Sequence, residues 1–185
     1  LCWLMFPDVS SARYLAALVP LLITVQFALV GTGIMKDESA VEAMTRTGNP
    51  KEILRGPLFY GIMFVAMTIF YWKDSPIGIT ALMLMCGGDG IADIVGRRIK
   101  SPKLPWSLEK SVAGSLSVFA GGALLTALIL FIYVSVGIFA MPFASYLLPI
   151  TWIALCGMLV ESLPFKDIDN ITLTLISALI GHFVF

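Results

Sequence analysis

The sequence predicts an all-α integral membrane protein, a polytopic helical bundle with about six to seven transmembrane helices. Three observations carry this. Of the 185 residues, 58% are hydrophobic and only 13% are charged, and the mean hydropathy of +0.93 lies well above that of a soluble domain. Apolar runs recur along the chain, separated by breaks containing Pro, Gly, Asp or Asn. No strand-type alternation, internal repeat or long linker interrupts them, so residues 1–185 read as a single membrane-embedded domain.

The runs fall at about 1–6, 14–34, 57–72, 76–88, 112–136, 143–163 and 171–185. The first is a stub. The next, 14–34, is long enough to span alone, because a perpendicular helix needs roughly 20 apolar residues. The runs 57–72 and 76–88 are shorter and must borrow flanking polar residues, so the second is expected to continue as helix through Asp89 to Gly96. The runs 112–136 and 143–163 span on their own, and 171–185 closes the set. The chain opens on Leu1 inside an apolar stretch, which reads as a chain lacking its natural start.

Charge is sparse and placed. The twelve basic and twelve acidic residues cancel, which argues against nucleic acid as a partner, since that leaves a basic footprint. Counted in alternate loops, ten Lys and Arg fall on one side (Lys36, Arg46, Lys51, Arg55, Arg97, Arg98, Lys100, Lys103, Lys110 and Lys166), and only Arg13 and Lys73 on the other. The basic side is the cytoplasmic side or its organellar equivalent, and the polar clusters are expected to meet there. Cys2, Cys86 and Cys156 are odd in number and lie in or beside apolar runs, indicating neither a disulfide framework nor a zinc site. His182 stands alone in an apolar run and reads as structural.

Two clusters carry chemistry. In Cys86-Gly87-Gly88-Asp89-Gly90-Ile91-Ala92-Asp93-Ile94-Val95-Gly96-Arg97-Arg98, a helix puts Asp89, Asp93 and Arg97 on one face and Gly88, Ala92 and Gly96 on an adjacent small-residue stripe. Ionisable groups beside a membrane span are costly and are functional candidates. Two carboxylates one turn apart suit a magnesium ion shared with nucleotide phosphates; the same spacing also suits an Asp93–Arg97 structural pair with Asp89 capping a helix. The second cluster, Lys103-Leu104-Pro105-Trp106-Ser107-Leu108-Glu109-Lys110-Ser111-Val112-Ala113-Gly114-Ser115, opens an apolar helix. Lys110, Ser111 and the backbone near Gly114 suit a phosphate at a helix N-terminus; a membrane anchor with Ser111 as a plain cap is the alternative.

Three further positions join them. Glu161 lies at the inner end of the run 143–163, as a base, a second metal ligand or the partner of an arginine such as Arg97 or Arg98. Asp169 and Asn170 either orient a nucleotide or cap the final helix. The loop 35–56, with its balanced charges, reads as an amphipathic surface helix.

Asp89-x-x-Ala92-x-x-x-Gly96 followed by Lys110-Ser111-x-Ala113-Gly114 resembles the CTP-binding pattern of the dolichol and polyprenol kinase group. With Lys103-Leu104-Pro105, Val160-Glu161-Ser162-Leu163-Pro164, Ala12-Arg13-Tyr14, Glu52 to Tyr60 and Asp169-Asn170, the chain resembles the phytol kinase and farnesol kinase family over essentially its whole length. The resemblance implies transfer of the γ-phosphoryl of CTP to the primary hydroxyl of an isoprenoid alcohol. Phytol is the first choice, in phytol salvage towards tocopherol, with farnesol or geranylgeraniol as alternatives. It further implies a chloroplast membrane, Mg²⁺ on Asp89 and Asp93, and phosphate contacts from Arg97, Arg98, Lys103, Lys110, Ser111 and Gly114. The chain departs from the family in lacking the basic, histidine-bearing segment before the first complete helix and in carrying Ile99-Lys100-Ser101-Pro102 at a glycine-like turn.

Two other classes compete. The opening of the Asp89 motif is similar to that of the CDP-alcohol phosphotransferases, but that motif needs further aspartates where this chain has Arg97, Arg98 and Lys100. A transporter or channel would use Asp89, Asp93 and Glu161 as an ion path, yet these groups cluster towards one surface rather than at mid-span.

Overall fold

The computed structural model describes residues 1–164 and 168–185, with the side chains of Arg97, Leu108 and Glu109 outside the described set. Lys166, counted above in the basic loops, also lies outside it. Among the described residues five helices are long and apolar enough to cross a membrane: Ala12–Gly31, Pro50–Phe70, Pro76–Gly96, Val112–Ser135 and Ala144–Glu161, with a shorter apolar helix at Asp169–Val184. The fold is an all-α helical membrane bundle. As expected, the second and third of these spans reach full length by recruiting Pro50–Arg55 and Asp89–Gly96. The chain packs as two compact units, Leu1–Trp72 and Lys73–Phe185.

In the first unit, α1 (Ala12–Gly31) packs on α3 (Gly56–Phe70). Their contact is close because Gly61 faces Thr24, leaving no room for a Cβ. The Thr24 hydroxyl turns back to donate to the Pro20 carbonyl at 2.6 Å. Arg13 Nη1 donates to Ile69 O at the end of α3 (3.1 Å), satisfying a carbonyl that the helix terminus leaves open. Beside it Trp72, buried and at φ 44, is held by Trp3 and Phe6 at ring separations of 5.5 and 6.2 Å. The loop read as an amphipathic helix forms the short α2 (Glu38–Met44) and a 3₁₀ turn, Pro50–Leu54. Asp37 caps α2 by accepting from Ala40 N, and the Gln26 amide donates to its other oxygen.

The second unit opens with one continuous helical run in three segments: α4 (Pro76–Met83), a π-helical turn (Leu84–Asp89) and α5 (Gly90–Arg98). π-turns widen the backbone and recur at functional sites. Here the turn lies against α6 (Val112–Ser135), and glycines make the approach possible. A Cβ at Gly88 would stand 3.1 Å from Val118 Cγ1, and one at Gly87 3.1 Å from Gly121 O. Of the small-residue stripe read from the sequence, Gly88 takes part in this contact. α7 (Ala144–Glu161) and α8 (Asp169–Val184) complete the unit, around a core of Leu84, Ile153 and Ala154.

One element departs from the sequence reading. Residues Lys103–Leu104 (β1) and Ser107–Ser111 (β2) form a small antiparallel hairpin between α5 and α6. Its strands are too short and too charged to show alternation, and it is held at its tip by a distant helix end rather than by a local pattern.

Candidate functional site

The hairpin crosses the ends of three helices, and this organises the site. At the N-terminus of α6, Ser111 is the cap: its Oγ accepts from Gly114 N at 3.2 Å. Ser101 Oγ accepts from Ala113 N (3.1 Å) and Pro102 O accepts from Val112 N (3.0 Å). The first three amides of α6 are therefore satisfied by the preceding loop, so a phosphate reaching this terminus must displace a partner. Ser101 was not among the residues expected to matter. Its only signal was its place in the Ser101-Pro102 turn.

At the C-terminus of α7 the hairpin supplies two donors. Trp106 Nε1 donates to Ser162 O at 3.0 Å, and Lys110 Nζ donates both to the backbone carbonyl of Glu161 and to Glu161 Oε1, the latter at 2.7 Å. A cation at a helix C-terminus satisfies open carbonyls and complements the macrodipole. Lys110 also lies 3.5 Å from Asp169 Oδ2, in the first turn of α8. The side chains of Lys110, Glu161 and Asp169 are 19%, 10% and 30% exposed, a mostly enclosed ion-pair network. Glu161 thus pairs with Lys110, a partner the sequence reading did not name, while the Arg97 side chain lies outside the described residues. Asp169 is ion-paired with this lysine, and α8 has no side-chain cap.

Asp89, half-buried at the end of the π-turn, is near enough to Glu161 for its charge to act on it, as is Asp169. Asp93 follows one helical turn later, exposed on α5. α5 runs beside the α6 terminus: Cβ positions at Gly96 and Gly114 lie 3.9 and 3.2 Å from Ser111 Oγ, and Gly114 faces Ala92 O. The structure therefore gathers Asp89, Lys110, Ser111, Gly114, Glu161 and Asp169 at one end of the second unit. Arg98 and Lys103 are exposed at the end of α5 and in β1, and Asn170 follows Asp169 in α8. The Arg97 side chain lies outside the described residues.

Asp89 and Asp93 stand one helical turn apart on the run that ends at this cluster. That suits a metal taking one or two protein carboxylates and completing its shell from phosphate oxygens and water. Among the described residues no group of three or more His, Cys, Asp and Glu stands close enough to hold a metal by itself.

Fold and site together define a polytopic helical membrane protein with a charged cluster where its helices end. Across 99% of its length the chain is 42% identical to the probable chloroplastic phytol kinase 1 of Oryza sativa subsp. japonica, covering 59% of that protein. It is 38% identical to phytol kinase 1 of Arabidopsis thaliana, over all of this chain and 62% of the relative. The Arabidopsis thaliana farnesol kinase matches at 40%, over all of this chain and 61% of the relative. Over the residues it contains the chain is similar to these phytol and farnesol kinases, and it spans about 60% of their length. No family model matches the chain, and no solved structure does.

Proposed function

We propose that the chain is the kinase portion of a plastid-membrane enzyme that transfers the γ-phosphoryl group of CTP to an isoprenoid alcohol, with phytol as the preferred acceptor. Similarity over the whole chain to curated proteins named phytol kinase and farnesol kinase, all chloroplastic, supports this reading. The observation that carries the site assignment is the convergence of Asp89, Lys110, Glu161 and Asp169 at one helix-end cluster. An acceptor with a long hydrocarbon tail and one hydroxyl lies among apolar helices and presents only its polar end to that cluster.

Phosphoryl transfer demands positioning and charge neutralisation more than covalent participation. Asp89 and Asp93 would hold Mg²⁺, which, when bound, neutralises charge on the β- and γ-phosphates. Lys110, with Arg97, Arg98 and Lys103, binds phosphate oxygens, and Ser111 and the Gly114 amide complete the cradle once their mutual bond opens. Asp169 and Asn170 orient the nucleotide at the start of α8. The alcohol oxygen attacks the γ-phosphorus, the bond from that phosphorus to the β–γ bridging oxygen breaks, and CDP leaves. The hydroxyl proton passes to the Glu161 carboxylate.

The test is phosphorylation of phytol, farnesol and geranylgeraniol by membranes carrying the chain, with CTP and ATP compared. Phytyl phosphate formed fastest and from CTP is the expected result. Equal rates with ATP would remove the CTP assignment, and faster transfer to farnesol would reassign the acceptor.

A further inference from the structure

Lys110 donates to the Glu161 carbonyl and to Glu161 Oε1 at 2.7 Å, and its ammonium is also ion-paired with Asp169 Oδ2 at 3.5 Å. Its site is mostly enclosed, so these bonds are not readily exchanged for water. A nucleotide phosphate can then bind Lys110 only by taking over donors that Glu161 and Asp169 hold in the nucleotide-free protein. We propose that nucleotide binding is an exchange reaction: phosphate competes with Glu161 and Asp169 for Lys110, and its arrival uncovers the Glu161 carboxylate. The inference rests on the kinase reading and deepens it by making the proton acceptor available only when the donor is in place.

The exchange fixes the sign of effects that a purely supporting role would reverse. If Glu161 and Asp169 serve to hold Lys110 ready for phosphate, removing either charge weakens nucleotide binding. If they compete for it, removing either tightens binding, by about tenfold or more where the charged hydrogen bond of Glu161 is lost and by less for the longer Asp169 ion pair. Simple loss of negative charge near an anion site would also tighten binding. That effect is independent of Lys110, whereas the exchange acts through it.

The experiment is equilibrium binding of radiolabelled magnesium–CTP to the detergent-solubilised protein without alcohol, for wild type, Lys110→Met, Glu161→Gln, Asp169→Asn and the doubles Lys110→Met/Glu161→Gln and Lys110→Met/Asp169→Asn. Asp169→Asn breaks only the longer contact and keeps the protein assessable if Glu161→Gln unfolds. The expected result is tighter binding by both single acidic variants, weaker binding by Lys110→Met, and no tightening in the Lys110→Met background, because the coupling runs through one residue. Unchanged or weaker binding by Glu161→Gln and Asp169→Asn overturns the exchange, and so does tightening that persists without Lys110. A wild-type chain that binds no nucleotide overturns the kinase reading and the exchange with it.

Discussion

Lys110 Nζ stands 2.7 Å from Glu161 Oε1 and also donates to that residue's backbone carbonyl, so one ammonium caps the end of α7 and neutralises its last side chain. Removing the lysine strands a largely enclosed carboxylate and an open helix carbonyl together. Lys110→Met is therefore expected to destabilise the protein by about 2–4 kcal/mol, read as a lower Tm in detergent. An unchanged Tm would mean the pair contributes nothing to the fold.

The glycines along the π-turn contact give two changes of opposite sign. A Cβ at Gly121 would stand 2.9 Å from Gly87 O, which is backbone and cannot step aside, so Gly121→Ala is expected to cost about 1–3 kcal/mol. Gly90 has helical dihedrals and nothing within 4 Å of the same position, so Gly90→Ala should stabilise by about 0.4–1 kcal/mol through the unfolded chain. Thermal unfolding of the two variants side by side checks both signs.

Trp106→Phe keeps an apolar ring at the hairpin tip but deletes the donor to Ser162 O. The expected loss is about 0.5–1.5 kcal/mol, concentrated in the hairpin. Faster hydrogen exchange across 103–111, with little change in α6, is the predicted signature.

The Asp37 carboxyl is held below its ordinary value of 3.8, chiefly by the Ser39 hydroxyl, then by the Ala40 amide and the Gln26 side chain. A lowered folded pKa means its stabilising contribution is present above the ordinary value and is lost as pH falls through the lower, folded value. Hydrogen exchange in 38–44 should therefore be insensitive to pH-dependent opening at neutrality and rise only in strong acid. Asp37→Asn should show the raised opening already at pH 7.

The long helices were legible because a span declares itself in one continuous stretch: α6 and α7 coincide with the runs 112–136 and 143–163. The extension of the third span through Asp89 to Gly96 was legible too, from the length deficit of 76–88. The small stripe Gly88, Ala92 and Gly96 announced a close helix contact, although not that α6 would be the partner or that a π-turn would carry it. What stayed hidden depends on distant partners. Lys110 and Glu161 are 51 residues apart in sequence, and no local pattern says that a loop lysine closes a helix end. Ser101 capping Ala113 and Trp106 reaching Ser162 are the same kind of event. Glu161 was noticed because it ends an apolar run on the basic side and falls in the Val160-Glu161-Ser162-Leu163-Pro164 segment that carries the family resemblance.

The proposed phosphoryl-transfer site for an isoprenoid alcohol centres on Asp89 and its neighbours. The most direct measurement is transfer of label from γ-³²P-CTP to phytol by membranes carrying the wild-type chain or Asp89→Asn, expressed to equal levels. Labelled phytyl phosphate is expected from the wild type, with a loss of at least about a hundredfold in the variant. Equal transfer by both would contradict the site, and no transfer to phytol, farnesol or geranylgeraniol would contradict the function.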